Sequence, residues 1–305
     1  MATAELGATL RETVYFEGVG LHTGEMCRVA VHPTSNKRVP CAITFRKGAS
    51  TFPARWDYVV DTTRATVLGN GATWISTVEH LMAALWITGI THCEIELLQG
   101  NEIPILDGSA LPFVEALQAV KCTVDALTPS SSPTAWARGV GAHGGAPSFS
   151  RVVGEGDTGG EGILLHARHA DRYLGLAFGG GVLFGYIDFP APLGVQAGAF
   201  PLADAATQIA PARTFGFLRE VEALRQQGLA QGGALDNALV IDETGYHNPA
   251  RFEDEPLRHK LLDVLGDLYL CGARLTGFTL VAIKPGHALN VQLARQVAQA
   301  ILAED

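Results

Sequence analysis

Residues 251–272 read RFEDEPLRHKLLDVLGDLYLCG. Glu253, Asp254 and Glu255, followed by Pro256, form a helix start, with proline where a first helical position falls. Leu257, Leu261, Val264, Leu265, Leu268 and Leu270 then recur at mostly helical intervals, and Gly272 offers the stop. His259, Asp263 and Asp267 are each four residues apart, so one helix face carries an imidazole and two carboxylates in a row. Two readings of that row stand. It is either a solvated face with a His–Asp hydrogen bond, or a buried set whose desolvation is offset by a divalent metal with ligands at i and i+4.

A second stretch has the same grammar. Residues 74–98, WISTVEHLMAALWITGITHCEIELL, run into a helix at Ser76, which with Glu79 makes a capping box, and out at Gly89 into an alternating strand. The capping box gives Glu79 a structural duty. His80, beside it in the first turn of a largely apolar helix, has no such explanation. Each half of the chain therefore passes from strands into a His-bearing helix, then through a glycine into another strand. The expected fold is α+β: two similar domains, 1–127 and 134–305, each a β-sheet with helices packed on one face. The domains meet so that the His-bearing helices approach one another, and Thr128–Pro133 is the linker. Residues 213–241 read as a strand–helix–strand insert with Leu218, Val221 and Leu224 on one ridge. Residues 278–284 are a strand, 285–287 a loop and 289–305 a closing helix. His22, in a glycine-marked turn, reads as solvated.

Composition narrows the function classes. A net charge of −9 and a pI near 5.6 argue against a nucleic-acid surface, so an anionic ligand must be drawn by a few local cations. The cysteines Cys27, Cys41, Cys93, Cys122 and Cys271 are odd in number and never at CxxC spacing, which suits a reducing compartment. The N-terminus lacks an apolar signal region and no run reaches membrane-spanning length, so a cytoplasmic location is expected. Gly154–Gly159 matches G-x-G-x-x-G by letters, but strand-like residues follow it where a dinucleotide site needs a helix.

If the two His-bearing helices approach one another, His80 joins His259 and Asp263. Two imidazoles and a carboxylate leave the fourth position of a tetrahedral zinc for water, the catalytic pattern. Glu79 is then placed to take the water's proton. His287, held cationic by Asp267, would stabilise an oxyanion or protonate a leaving amine. Such an ensemble hydrolyses an amide or ester.

The motifs GVGLHTG (18–24), STVEHLMAAL (76–85), EIPILDGSA (102–110), ARTFGF (212–217), RFEDEPLRHKLLDVLGDLYL (251–270) and KPGHALN (284–290) together resemble the UDP-3-O-acyl-N-acetylglucosamine deacetylases, zinc amidases of lipid A synthesis. The resemblance implies two α+β domains with the helices sandwiched between the two sheets and a metal site between the domains. It implies zinc ligands at His80, His259 and Asp263, a general base at Glu79, and a catalytic His287 with Asp267 as its carboxylate partner. It places an oxyanion contact at Thr214 and a substrate contact at Lys260. It lines an acyl passage with Phe215, Phe217, Leu218 and Val221. Ferrous iron also suits this ligand set. The expected partner is the UDP-sugar substrate alone, with no nucleic acid, on a monomeric enzyme. The Gly- and Ala-rich stretch 134–180 departs from the family pattern, and no dehydratase-like segment follows Asp305, which reads as the unfused form. The competing expectations are a non-catalytic binding descendant and a zinc deacetylase of another N-acetylated sugar.

Overall fold

Two five-stranded sheets with one shared connectivity organise the molecule, whose computed structural model describes residues 7–34, 41–124 and 164–304. The first half contains β1 (Ala8–Leu10), β2 (Val14–Val19), β3 (Met26–Pro33), β4 (Ala42–Lys47), β5 (Ser50–Pro53), β6 (Val59–Asp61), β7 (Val67–Gly69) and β8 (Trp74–Ile75). Helix α1 (Glu79–Thr88), β9 (His92–Gln99), α2 (Leu111–Val120) and β10 (Lys121–Thr123) complete it. The second half contains β11 (Leu164–His169), β12 (Arg172–Phe178), β13 (Val182–Asp188), β14 (Val195–Pro201), α3 (Ala205–Gln208), β15 (Phe215–Phe217), α4 (Leu218–Gln226) and β16 (Leu239–Ile241). It closes with α5 (Glu255–Leu268), β17 (Phe278–Ile283) and α6 (His287–Glu304). The expected linker Thr128–Pro133 and the motif at 154–159 lie outside the described residues.

The sheet orders are β2-β3-β9-β4-β5 and β11-β12-β17-β13-β14. In each, the strand latest in sequence sits at the centre, antiparallel to the second strand and parallel to the third. In each, that strand is preceded by the His-bearing helix (α1 or α5) and followed by another helix (α2 or α6). The two halves are thus one α+β design used twice. β17 shows how a sheet meets the helices: Phe278, Leu280 and Ala282 are buried, while Thr279, Val281 and Ile283 alternate to the other face.

Helices α1 and α5 lie between the sheets, which is why α1 is apolar between His80 and Thr88 and buries every residue except Ile87. On α5, Leu257, Leu261, Leu262, Val264 and Leu265 are fully buried, each contributing about 1.5–3 kcal/mol. Gly272, at φ 84°, closes the helical segment as expected. Where the two helices cross, Gly266 is the contact. A Cβ built there would lie 2.0 Å from the carbonyl oxygen of Glu79, so only glycine permits this approach.

Two local expectations are corrected and one is extended. The capping box does not form: α1 starts at Glu79 without a side-chain cap, and Ser76 Oγ donates instead to the Asn101 carbonyl at 3.4 Å. Helix α5 does start at Glu255–Pro256 as expected, and Glu255 has a further partner there. Fully buried, it accepts from Arg213 Nε at 2.9 Å and from the Arg251 N–H at 2.6 Å. His287 is the first residue of α6 and not part of a loop, because the Gly286 carbonyl accepts the Asn290 N–H at 2.9 Å.

Candidate metal centre and active site

The crossing at Gly266 brings the first turn of α1 against the middle of α5. The His80 and His259 rings stand 5.0 Å apart at 81°, and both residues are buried with Asp263. Burial disposes of the solvated-face reading of the α5 row. His259 Nδ1–H donates to the Ala212 carbonyl at 3.0 Å, which turns Nε2 toward Asp263 Oδ1 at 3.4 Å. His80 Nε2 lies 3.9 Å from the same oxygen. Lys260 Nζ holds the other oxygen, Oδ2, at 2.8 Å.

Asp263 Oδ1 is therefore a buried carboxylate oxygen facing two imidazole nitrogens, yet it has no hydrogen-bond partner. Among the described residues only two other buried side-chain polar atoms are in that position, His80 Nδ1 and His22 Nδ1. An orphan oxygen between two ring nitrogens is what a cation site leaves. Tetrahedral ligands on a zinc at about 2.0–2.1 Å stand about 3.3 Å apart, and the 3.4 and 3.9 Å separations are close to that spacing.

Electrostatics agree. Burial, and after it His259, push the His80 pKa down to about 3. Burial likewise lowers His259. Burial alone would raise Asp263, but Lys260, His259, His287 and His80 together hold it below the usual carboxylate range. Two neutral imidazoles and an ionised carboxylate are the protonation states that metal ligation requires. Glu79, Asp263 and His287 also offer ligand atoms close together. His287 fits that role poorly. Burial opposes its charge, but Asp267 and then Glu79 overcome it and raise the pKa to about 9, so the ring is cationic and has no lone pair to give.

Glu79 and His287 flank the trio. Burial raises the Glu79 pKa. One of its oxygens accepts the Thr66 N–H at 3.0 Å, and the other lies 3.9 Å from His287 Nε2. His287 Nδ1–H donates to Asp267 Oδ2 at 2.9 Å, and Asp267 also accepts from Asn290 Nδ2 at 2.9 Å and Thr66 Oγ1 at 2.5 Å. The six motif residues His80, His259, Asp263, Glu79, His287 and Asp267 are thus brought together from both halves, with Lys260 attached to them.

A sequence profile of UDP-3-O-acyl N-acetylglycosamine deacetylase (LpxC) matches residues 7–131 and 184–299. The chain belongs to that deacetylase family. A protein of this name from Thermosynechococcus vestitus is 40% identical over 295 residues, covering 95% of this chain and 93% of that one. The chain is also similar to relatives of the same name from Myxococcus xanthus (38% identical, covering 95% of this chain and 85% of that one) and Leptospira biflexa (34%, covering 97% and 91%). The deacetylase profile skips the stretch that the sequence reading singled out as departing from the family pattern.

The remaining expected site residues are more scattered. Thr214 is fixed by its backbone, its N–H donating to the Gly108 carbonyl at 2.7 Å. Phe215 stands edge-on to His259, with ring centroids 6.3 Å apart at 88°, and Phe217 is buried. Leu218, by contrast, is 49% exposed and Val221 half-buried.

Sequence reasoning passed over Thr66, Asn290, Phe189 and the cations Arg172 and Lys284. Phe189 packs on Phe215 and Phe217 at 5.4 and 5.9 Å. A cavity of about 220 Å³ beside it is lined by Arg172, Lys260, Lys284, Asp171 and Asp188. His22, expected in solvent, has its Nδ1 buried, and its backbone N–H donates to Glu102.

Proposed function

We propose that the chain is a zinc-dependent amidase that removes the N-acetyl group from UDP-3-O-(3-hydroxyacyl)-N-acetylglucosamine, releasing acetate and the free amine for lipid A synthesis. The observation that carries this reading is the orphan Asp263 Oδ1 between His80 and His259, with Glu79 on one side and a cationic His287 on the other. His80, His259 and Asp263 would hold the ion, which when bound supplies Lewis acidity at the scissile carbonyl and a nucleophile at neutral pH.

The protein's own groups do the proton chemistry. Glu79 has one oxygen tied to the Thr66 amide, so the other takes the proton of the attacking water. A buried carboxylate of raised pKa is a stronger base than a solvated one. His287 presents Nε2–H because Asp267 holds Nδ1–H. That donor stabilises the negative oxygen of the tetrahedral species and then passes its proton to the leaving nitrogen. Thr214 is assigned the second oxyanion contact.

The substrate's two ends find matching chemistry. Arg172 at the 220 Å³ cavity supplies a local cation for a diphosphate on a chain of net charge −9, whereas Lys284 there is paired with Asp171 and Asp188 and Lys260 with Asp263. Phe215, Phe217 and Phe189, reaching from His259 toward α4, offer an apolar wall for the acyl chain, which Leu218 and Val221 extend. The five free cysteines support a cytoplasmic site of action. A binding descendant would have no use for this base–acid pair, and the relatives' names favour the UDP-sugar over another N-acetylated sugar.

Ligand and base are separable by substitution. Glu79→Gln should retain bound metal and lose about 10²–10⁴ in kcat, whereas His259→Ala should lose metal and activity together. Metal loss in Glu79→Gln, or full turnover in either variant, overturns the assignment.

A further inference from the structure

Thr66 is the point at which the first half of the site grips the second. It stands just before β7 and is fully buried. Its N–H donates to Glu79 Oε2 at 3.0 Å and its carbonyl accepts the Val78 N–H at 3.3 Å, so its backbone is pinned to the start of α1. Its hydroxyl reaches across to residues more than two hundred positions away. Oγ1 lies 2.5 Å from Asp267 Oδ1 and 3.3 Å from His287 Nδ1.

A threonine hydroxyl has one proton to give. Asp267 Oδ1 accepts it. Toward His287 the same oxygen can then only accept, so the Nδ1–H is shared between Asp267 Oδ2 and Thr66 Oγ1. Asn290 fills the remaining position on Oδ2. Every contact around Asp267 is therefore a donor, and every contact at Nδ1 an acceptor. This fixes the proton on Nδ1, fixes the ring plane, and leaves Nε2 facing Glu79 Oε1 at 3.9 Å.

We propose that Thr66 is a positioning residue that sets the separation of base and acid across the two halves of the molecule: its amide locks Glu79 and its hydroxyl locks the Asp267–His287 pair. The proposal rests on the roles assigned above to Glu79 and His287. Thr66→Val isolates the hydroxyl, because the amide that holds Glu79 stays and the side chain keeps its shape. Asp267 then loses the donor on Oδ1 and is held through Oδ2 alone, by His287 and Asn290, which loosens the orientation of the pair.

The test uses the metal-loaded full chain. Thr66→Val should keep its metal and its KM while kcat falls about 10- to 100-fold, the usual cost of losing a group that orients a catalytic one. Thr66→Ser, which restores the hydroxyl, should recover most of kcat. Thr66→Ala should repeat the valine result if the branched variant folds poorly. In proton NMR of histidine-labelled protein, the His287 Nδ1–H resonance, identified by its loss in His287→Gln, should move in the valine and alanine variants and return with serine. Packing alone predicts none of this selectivity. Wild-type kcat in Thr66→Val, or losses of metal and kcat together that serine does not repair, would overturn the proposal. Glu79→Gln and His287→Gln run alongside: if they turn over normally the assigned roles fail, and if they are crippled while Thr66→Val is not, Thr66 alone fails.

Discussion

Gly266→Ala sets two physical effects of opposite sign against each other. In an ordinary helix interior, alanine in place of glycine stabilises by about 1 kcal/mol. At this position the new Cβ would meet the Glu79 carbonyl oxygen at 2.0 Å, its carbon at 2.8 Å and its Cα at 3.0 Å, all backbone atoms that no rotamer change can move. Ordinary contact begins near 3.4 Å, so α1 and α5 must part by roughly 1.4 Å, far more than a packed core absorbs without cost. Overpacking of this kind costs typically about 1–3 kcal/mol and here belongs at the upper end, leaving a net loss of about 2 kcal/mol after the propensity gain. The same parting separates His80 from His259, which now stand 5.0 Å apart. Denaturant unfolding should show the destabilisation, and metal retained after dialysis should fall with it. A variant more stable than the parent, with its metal and kcat intact, would refute the claim that this helix crossing builds the site.

Glu255→Ala should cost about 3–5 kcal/mol, because it strands the buried Arg213 guanidinium; a loss under about 1 kcal/mol in denaturant melts would contradict that. His287 carries a raised pKa, so its charged form adds stability that is complete below about 6.5 and lost as pH rises through about 9. Burial also raises Glu79, which titrates in the same window, so thermal melts should lose stability more steeply in the parent than in His287→Gln, and equal slopes would exclude the effect. By the same assignment the rate should fall on the alkaline side as His287 deprotonates, with the acidic limb following Glu79. A flat alkaline limb would remove His287 as the proton donor.

The α5 row was legible because i, i+4 spacing fixes which side chains share a face, whatever the tertiary context. The repeated strand–helix–glycine–strand order likewise foretold the paired sheets, although the identity of their connectivity emerged only from the register of β9 and β17. What escaped has no periodic signature. Thr66 and Asp267 bond across 201 positions, and nothing near either residue encodes that meeting. The Ser76–Glu79 capping pattern misled because a helix in the interior has other donors to offer, and the Thr66 amide claimed the Glu79 carboxylate first. Glu255 marked the helix start correctly, but its pairing with the buried Arg213 has no local signal in the sequence. Phe189, Arg172 and Lys284 sit in unremarkable strands or at their ends and gain meaning only from the cavity they share.

The most direct measurement is acetate release from a UDP-3-O-acyl-N-acetylglucosamine, before and after a chelator and again with zinc restored. The arrangement of His80, His259 and Asp263 predicts turnover that the chelator abolishes and zinc returns. Turnover unaffected by removal of the metal, or none with the metal bound in full, would contradict it.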